Sequence, residues 1–578
     1  MFFEQFGFSK LKFFTIFCEY FIGIMLVYIL VVFVLIISNI YGILIQKVIA
    51  ELVGFILLLS CFLILKDIVR LNFLNLYSYQ YIYFGFNKFI DFNLLSCFTK
   101  IIVCFFSSIY FFIISSFLKD YKLIAFEYIL LLLFAVLGLI LLCSTNDFLT
   151  TFLAIELISL CSYLLASFRK MSSYSLEAGI KYLIIGAISS SFFLMGSSLI
   201  YAYTASITFV DIKFLLTNSS NFLVSPYFFY YVAPDLILSK NLSYLTTELK
   251  FFEGLLFNYN TKYTFFIEMG MVFIILSIFI KLALAPFHVW SLEVYEGAPT
   301  ISTFFFSTLT KLSFFVFLSR FCFTFYIYYA EFWIFYNAVI GFLSILLGSF
   351  GGIKQKKIKT LLAYSSISHM GYGLLSFNSF SILGLEILYF YLFTYIISNI
   401  IIWYIILGLQ KIQKNYIYKL SKNIGDFVLL GKSNKFIAFS LSLAFFSLAG
   451  IPPLLGFLAK FGVFLVLIVH KFYILCLLII LCSLISTFYY IRLVKILYFE
   501  NLLVGKLYSF KTDYMLIFCF FVFLLIFLFV KPTFLFLLIH KMVLFYNLEY
   551  KLTFINTNSQ FLYLNTNFLF TNYCLIKF

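Results

Sequence analysis

Apolar runs of about 20 residues, divided by short polar breaks, recur along almost the whole chain. That is the length a helix needs to cross the hydrocarbon core of a bilayer. Such runs fall near 20–45, 48–66, 94–118, 122–145, 148–168, 176–205, 263–288, 298–326, 331–353, 358–378, 380–409, 434–469, 472–499 and 513–540. The pattern predicts an all-α polytopic membrane protein with about fourteen transmembrane helices. Two runs contain helix breakers. In the seventh, Pro286 stands in KLALAPFHVW; in the twelfth, Pro452 and Pro453 stand in AGIPPLLGF. A proline inside a helix removes one backbone hydrogen bond and clashes with the carbonyl four residues earlier, so both runs are predicted to break. Broken backbone at membrane depth is tolerated only where protein or a water-filled cavity satisfies it.

Composition agrees: 64% of residues are hydrophobic and 11% charged, against roughly 45–50% and about 25% in soluble domains. Charge then orients the spans, because short loops on the side of synthesis carry excess Lys and Arg. The loops after odd-numbered spans hold Lys119 and Lys122, Arg169 and Lys170, Lys354 to Lys359, Lys411 to Lys435, and Lys495, Lys506 and Lys511. The loop after the seventh span is an acidic exception. Loops after even-numbered spans are sparse or balanced, so both termini are expected on the face opposite the basic loops. The longest connection, 207–262, carries four lysines and four acids and an aromatic stretch, PYFFYYVAP. It is expected to be a packed extramembrane insertion.

The net charge of +16 lies in short loops and within spans, not on the continuous face that nucleic acid requires. Eleven cysteines are scattered without metal-site spacing. No phosphate-binding glycine loop follows a strand-like segment, and the N-terminus MFFEQFGFSK resembles neither a secretory signal nor a transit peptide. Arg occurs only at 70, 169, 320 and 492 amid abundant Phe, Tyr, Ile and Lys. That bias suits an AT-rich genome and points to synthesis inside an organelle.

Charged side chains inside spans cost about 2.5–3.5 kcal/mol each on insertion scales and are functional candidates. They are Glu156, Lys181, Lys281, Lys311, His369, Glu386 and Lys460. Each has a plainer reading, in which it sits near a helix end and reaches the headgroups. That reading is strongest for Lys181, which has Glu177 one turn away. It is weakest for Glu156, deep in FLAIELISL, and for Lys281 and Lys460, each beside a proline break. Two interrupted helices, each bringing a lysine, suggest paired repeats of a transporter. His288, just beyond the first break, is a candidate relay or a half-helix cap.

These residues carry a family resemblance. FLAIELISLCSYLLASF, SLEAGIKYLIIGA, IKLALAPFHVWSLEVYEGAPT, STLTKL, KIKTLLAYSSISHMGYGL and SLAGIPPLLGFLAKF resemble the NADH dehydrogenase subunit 2 family, antiporter-like membrane subunits of respiratory complex I. The resemblance covers about 145–465. It implies fourteen helices, with the fourth to eighth and ninth to thirteenth as inverted five-helix repeats. The corresponding divisions are N-terminal helices 1–121, a first repeat 122–326 containing the insertion, a second repeat 331–499 and a C-terminal part 500–578. It implies a proton path through Glu156, Lys181, Lys281, Lys311 and Lys460, with His369 between the halves. It also implies no redox centre in this chain: NADH, FMN, iron–sulfur clusters and ubiquinone belong to partner subunits of the complex, in the mitochondrial inner membrane. The insertion at 207–262 is longer than the family's usual connection.

An apolar setting pushes an ammonium toward neutrality and an approaching carboxylate holds it charged. A swing of two to three pKa units is about 3–4 kcal/mol. Moving one charge through roughly 150 mV costs about 3.5 kcal/mol. Glu–Lys switching therefore matches a respiratory potential. Three functions remain open: a proton-translocating complex I subunit, an Mrp-like cation/proton antiporter subunit, and a structural scaffold with vestigial charges.

Overall fold

A computed structural model describes residues 21–27, 29, 42–74, 83–85, 89–121, 123, 125–219, 265–325, 330–378, 381–412, 418–420, 423–428, 430–500, 508–510 and 514–555. Helices carry almost all of it. The first part comprises α1 (Gly42–Leu74), α2 (Leu94–Phe117), α3 (Phe126–Leu142), α4 (Phe148–Ala166), α5 (Ser173–Thr204) and the short α6 (Phe209–Ser219). Next come α7 (Phe265–Leu282), α8 (Val289–Gly297), α9 (Thr300–Phe325), α10 (Ala330–Ile353), α11 (Ile358–Phe377) and α12 (Ile382–Gly408). The chain continues with α13 (Lys435–Ala449), α14 (Leu455–Val469), α15 (Tyr473–Tyr498), α16 (Met515–Val530) and α17 (Thr533–Ile555).

Among the described residues nine helices are long and apolar enough to cross a membrane, or ten if α16 and α17 count as one bent span. The first expected span, 20–45, lies mostly outside the described residues. Every other expected span falls on a helix or a broken pair. Helix α11 is more polar than a lone membrane helix, with Ser365, Ser366, Ser368, His369 and Ser376 all buried inside the bundle. Its serine hydroxyls donate to carbonyls one turn back, Ser365 to Leu362 and Ser366 to Ala363, so they need no water. The two expected breaks are present at 283–288 and 450–454. A third was not foreseen. The fourteenth span turns by 84° between α16 and α17, where Lys531, just before Pro532, leaves the helical region at φ −128°, ψ 72°.

Two helices form the centre: the apolar window of α9 is wholly buried and that of α12 94% buried. Around them α5 and α15 present rows of exposed Leu, Ile and Phe, as a lipid-facing surface requires. Helices α10 and α11 approach closely through small residues. A Cβ on Gly348 would lie 2.7 Å from the Ser368 nitrogen, and one on Gly371 would strike the Ser344 hydroxyl. Of the insertion, the described part is α6, where Phe209 packs its ring against Phe148 and Phe321 at 5.2 and 6.0 Å. The remainder, 220–262, lies outside the described residues.

Short strands sit in the connections. The hairpin β1 (Tyr83–Gly85) and β2 (Ile90–Phe92) is antiparallel. Strand β3 (Leu409–Ile412) pairs antiparallel with both β4 (Tyr418–Leu420) and β5 (Tyr508–Phe510), joining two of the basic loops. The β hairpin is locked to α9 by a buried ion pair. Arg320 donates to Asp91 Oδ2 at 3.0 Å and to the Cys143 carbonyl at 2.6 Å, while Asn93 Nδ2 donates to the same Asp91 oxygen at 2.7 Å.

Candidate functional site

Helix α7 ends at Leu282, four residues before Pro286, as the proline clash dictates. The main chain then turns through Ala283, whose φ is 58°. The carbonyl of Ile280, left without a helical partner, accepts from the Ala283 amide at 3.1 Å and from the Trp290 indole at 2.9 Å. Trp290 opens the second half-helix α8 and stacks on Tyr182 of α5, ring centroids 4.8 Å apart. The break is thereby closed by protein groups.

Lys281 occupies the last turn of α7. Its Nζ lies 3.4 Å from the Tyr163 hydroxyl and 5.7 Å from the centre of that ring. Tyr163 stands two turns beyond Glu156 on α4. Between them Ser159 donates to Glu156 Oε2 at 3.2 Å. Ser159 and Tyr163 thus stand on the α4 face between Glu156 and the Lys281 ammonium. The tyrosine fits because α5 offers a glycine opposite it: a Cβ on Gly186 would lie 1.6 Å from the Tyr163 hydroxyl. Gly186→Ala should therefore displace Tyr163, at a packing cost of about 1–3 kcal/mol. Were this array to carry protons, Gly186→Ala and Tyr163→Phe would both slow proton uptake into sealed vesicles while leaving the protein assembled.

From Lys281 a narrow cavity, with room for about one water, runs past Ser159, Tyr182, Tyr295 and Thr310 to Lys311. Lys311 projects from α9 and is 3% exposed. Among the described residues its ammonium has no hydrogen-bond partner, and it sits 5.9 Å from the Tyr295 ring centre. Tyr295 belongs to α8, so the broken helix contributes to both lysine environments.

The second half repeats the device with a different tether. Helix α13 ends at Gly450, φ 81°, a left-handed position suited to glycine. The Ala449 carbonyl just before it accepts from Lys460 Nζ of α14 at 2.8 Å. A cation at a helix C-terminus is favoured by the dipole. The same ammonium lies 5.3 Å from the Tyr372 ring centre. His369 is held between two tyrosines, Nδ1 to Tyr391 at 2.5 Å and Nε2 to Tyr490 at 3.1 Å. One cavity is lined by His369, Tyr391, Tyr395, Ser447 and Lys460. Tyr395, whose ring centre is 5.3 Å from that of His369, donates to the Ser307 carbonyl of α9 at 3.2 Å. Polar groups thus line two cavities, one holding Lys281 and Lys311 and the other His369 and Lys460, and Tyr395 ties the second to α9 one turn before Lys311.

Not every candidate joins these cavities. Lys181 bridges Glu177 at 2.6 Å and Glu293 of α8 at 2.5 Å, all three partly exposed, so it ties α5 to the half-helix at the protein's surface. His288 is the cap of α8, its carbonyl accepting from Ser291 at 2.8 Å; no described contact links its ring to Lys281. Glu386 meets His540 of α17, at 2.7 Å. The tyrosines were missed from sequence, although a signal existed. Glu156, Ser159 and Tyr163 are spaced i, i+3, i+7, and Tyr391, Tyr395 and Ser398 are spaced i, i+4, i+7, each set on one helical face.

Residues 145–486, more than half of the 578-residue chain, match the family model described as NADH:quinone oxidoreductase/Mrp antiporter, TM. The chain belongs to that family. The matched segment holds every site residue named above except Tyr490 and His540. Among relatives, NADH-ubiquinone oxidoreductase chain 2 of Marchantia polymorpha is 34% identical over 385 residues, 66% of this chain and 69% of the relative. NADH-quinone oxidoreductase subunit N 1 of Rhizobium meliloti is 33% identical over 376 residues, 65% and 69% respectively. The antiporter-family fold extends beyond the matched segment. A chain of respiratory complex I from Thermus thermophilus superposes with TM-score 0.65 at 22% identity, covering 90% of this chain and 98% of that one. A chain of the Mrp complex from Dietzia gives TM-score 0.69 at 15% identity, covering 94% and 98%.

Proposed function

We propose that this chain is the proton-translocating, antiporter-like subunit of a mitochondrial NADH:ubiquinone oxidoreductase. It moves protons across the inner membrane while NADH oxidation and quinone reduction take place on partner subunits, which carry the FMN and iron–sulfur clusters. The observation that carries this reading is the Glu156–Tyr163–Lys281 array at the first helix break, opening by a cavity onto the buried Lys311. A carboxylate that shares a helix face with the partner of a half-buried ammonium is the arrangement a proton-loading switch requires, and the two breaks supply backbone polarity where the switch needs it. In this reading 122–326 and 331–499 are the two repeats, each contributing one broken helix and its lysine, and His369 joins them.

A second reading, an Mrp-like cation/proton antiporter subunit, draws support from the likeness to the Mrp complex at TM-score 0.69. Sodium-coupled transport without an attached NADH dehydrogenase would favour it. Glu156→Gln tests the proton path in either case. It keeps a hydrogen-bond acceptor for Ser159 and removes the charge, so the complex should assemble while proton pumping and coupled NADH oxidation fall at least about tenfold, toward the lower range of a lost acid–base group. Wild-type pumping by the assembled variant would exclude Glu156 from the path.

A further inference from the structure

We propose that Glu386 and His540 form the port through which the second half of the path exchanges protons with the face opposite the basic loops. The inference rests on the proton-path reading above and adds an exit that the path residues do not supply. Three chain segments meet at this point: the start of α12, the end of α14 and the start of α17. His470, at the end of α14, bonds Ser381 Oγ, the cap of α12, at 3.3 Å. Phe390 of α12 stacks on Phe536 of α17, ring centroids 4.3 Å apart. In the loop order these ends all fall on the face that lacks the basic loops. The 84° turn after α16 brings α17 to that face and sets His540 against Glu386.

The pair joins the interior to the exterior, its side chains being 11% exposed for Glu386 and 38% for His540. Inward, the helix carrying Glu386 reaches Tyr391, the partner of His369, five residues on, about 7.5 Å along the axis. The helix carrying Lys460 packs at the same level, since a Cβ on Gly462 would touch Ile387 at 3.2 Å. A carboxyl and an imidazole are the two side chains that trade protons readily near neutral pH. In its acid form Glu386 passes a proton to His540 Nδ1, and the imidazolium releases its other ring proton to water. The carboxylate is reloaded from the Tyr391–His369 side through water, and His540, 38% exposed, returns to its starting tautomer by taking a proton from water at Nε2 and losing the one on Nδ1 to water. No net charge is left behind.

The competing role is a pin that holds α17 in place, and the variants separate the two. Glu386→Gln keeps an acceptor for the His540 N–H, and with it the pin, but cannot carry a proton. In the assembled complex in sealed vesicles it should lower proton release and coupled NADH oxidation at least about tenfold. His540→Ala should lose the same activity and regain it with added imidazole, but not with pyrazole, a ring of like shape that is too weakly basic. The port is overturned if Glu386→Gln pumps at the wild-type rate, if pyrazole rescues as well as imidazole, if imidazole fails, or if neither variant assembles. Lys281→Met run in parallel distinguishes the failures. If it too pumps normally, the proton-path reading falls; if it alone is impaired, only the port does.

Discussion

Lys281→Met should assemble and lose coupled proton translocation by at least about tenfold, against the roughly 10²–10⁴ that a positioned acid–base group contributes. Methionine keeps the length and apolar stem that fill the cavity wall beside Ser159 and Tyr182, so packing survives while the titratable head is gone. Lys281→Arg should fail as well, for a different reason. Guanidinium holds its charge but does not release a proton in proteins. Proton uptake into vesicles, measured against NADH oxidation, checks both. Normal pumping by Lys281→Arg would mean that a fixed charge suffices; failure of Lys281→Met to assemble would make the lysine structural.

The largest expected effect on stability lies elsewhere. Arg320→Met leaves the buried Asp91 carboxyl without its guanidinium, and breaking a buried pair by removing one partner typically costs about 3–5 kcal/mol. It also strips the Cys143 carbonyl of its 2.6 Å donor, loosening the junction of α9 with the hairpin and the end of α3. The amount of assembled complex on native gels should fall steeply. Arg320→Lys should recover only part of it, because one ammonium lacks the planar fork that serves both acceptors. The double variant Arg320→Met with Asp91→Asn should recover more than Arg320→Met alone, since no carboxyl is then left without its guanidinium.

Much of this architecture was legible in the chain because a bilayer demands one apolar run per crossing and a proline break announces itself. The broken helices at 283–288 and 450–454 follow from Pro286 and from the AGIPP stretch. The turn before α17 did not follow, because Lys531 and Pro532 fall near the end of the run from 513 to 540, and the residues beyond them, TFLFLLI, are as apolar as those before. Sequence also singled out Glu156, Lys281, Lys311, His369 and Lys460, since a charge in an apolar run stands out; Lys281 and Lys311 line one cavity, His369 and Lys460 another, and Glu156 lines neither. Tyr163, Tyr391 and Tyr395 do not stand out in a chain with 44 tyrosines. Partners across great sequence distance are invisible in the same way. Glu386 and His540, or Asp91 and Arg320, become pairs only once the fold brings them together. Lys181 shows the converse: its neighbour Glu177 was legible, while Glu293, the second carboxylate on it, arrives on the far side of a helix break.

The Trp290 indole that takes up the Ile280 carbonyl bears on speed. With that bond at 2.9 Å, the Ala283 amide on the same oxygen, the Leu284 amide on Phe279 at 3.1 Å, and Tyr182 stacked on the indole, the interrupted backbone is clasped from several directions. A clasp does not flex as a hinge does. What remains free at Lys281 is the side chain itself; rotamer changes take picoseconds to nanoseconds in exposed residues and longer in a half-buried one, whereas collective helix motions need microseconds to milliseconds. Enzymes commonly turn over near 10 s⁻¹, so a lysine on a clasped backbone re-equilibrates a great many times within each cycle. In the proposed proton path the first half is therefore a follower: it would track its electrostatic surroundings at quasi-equilibrium, and the clock of the cycle would be kept by slower parts of the assembly.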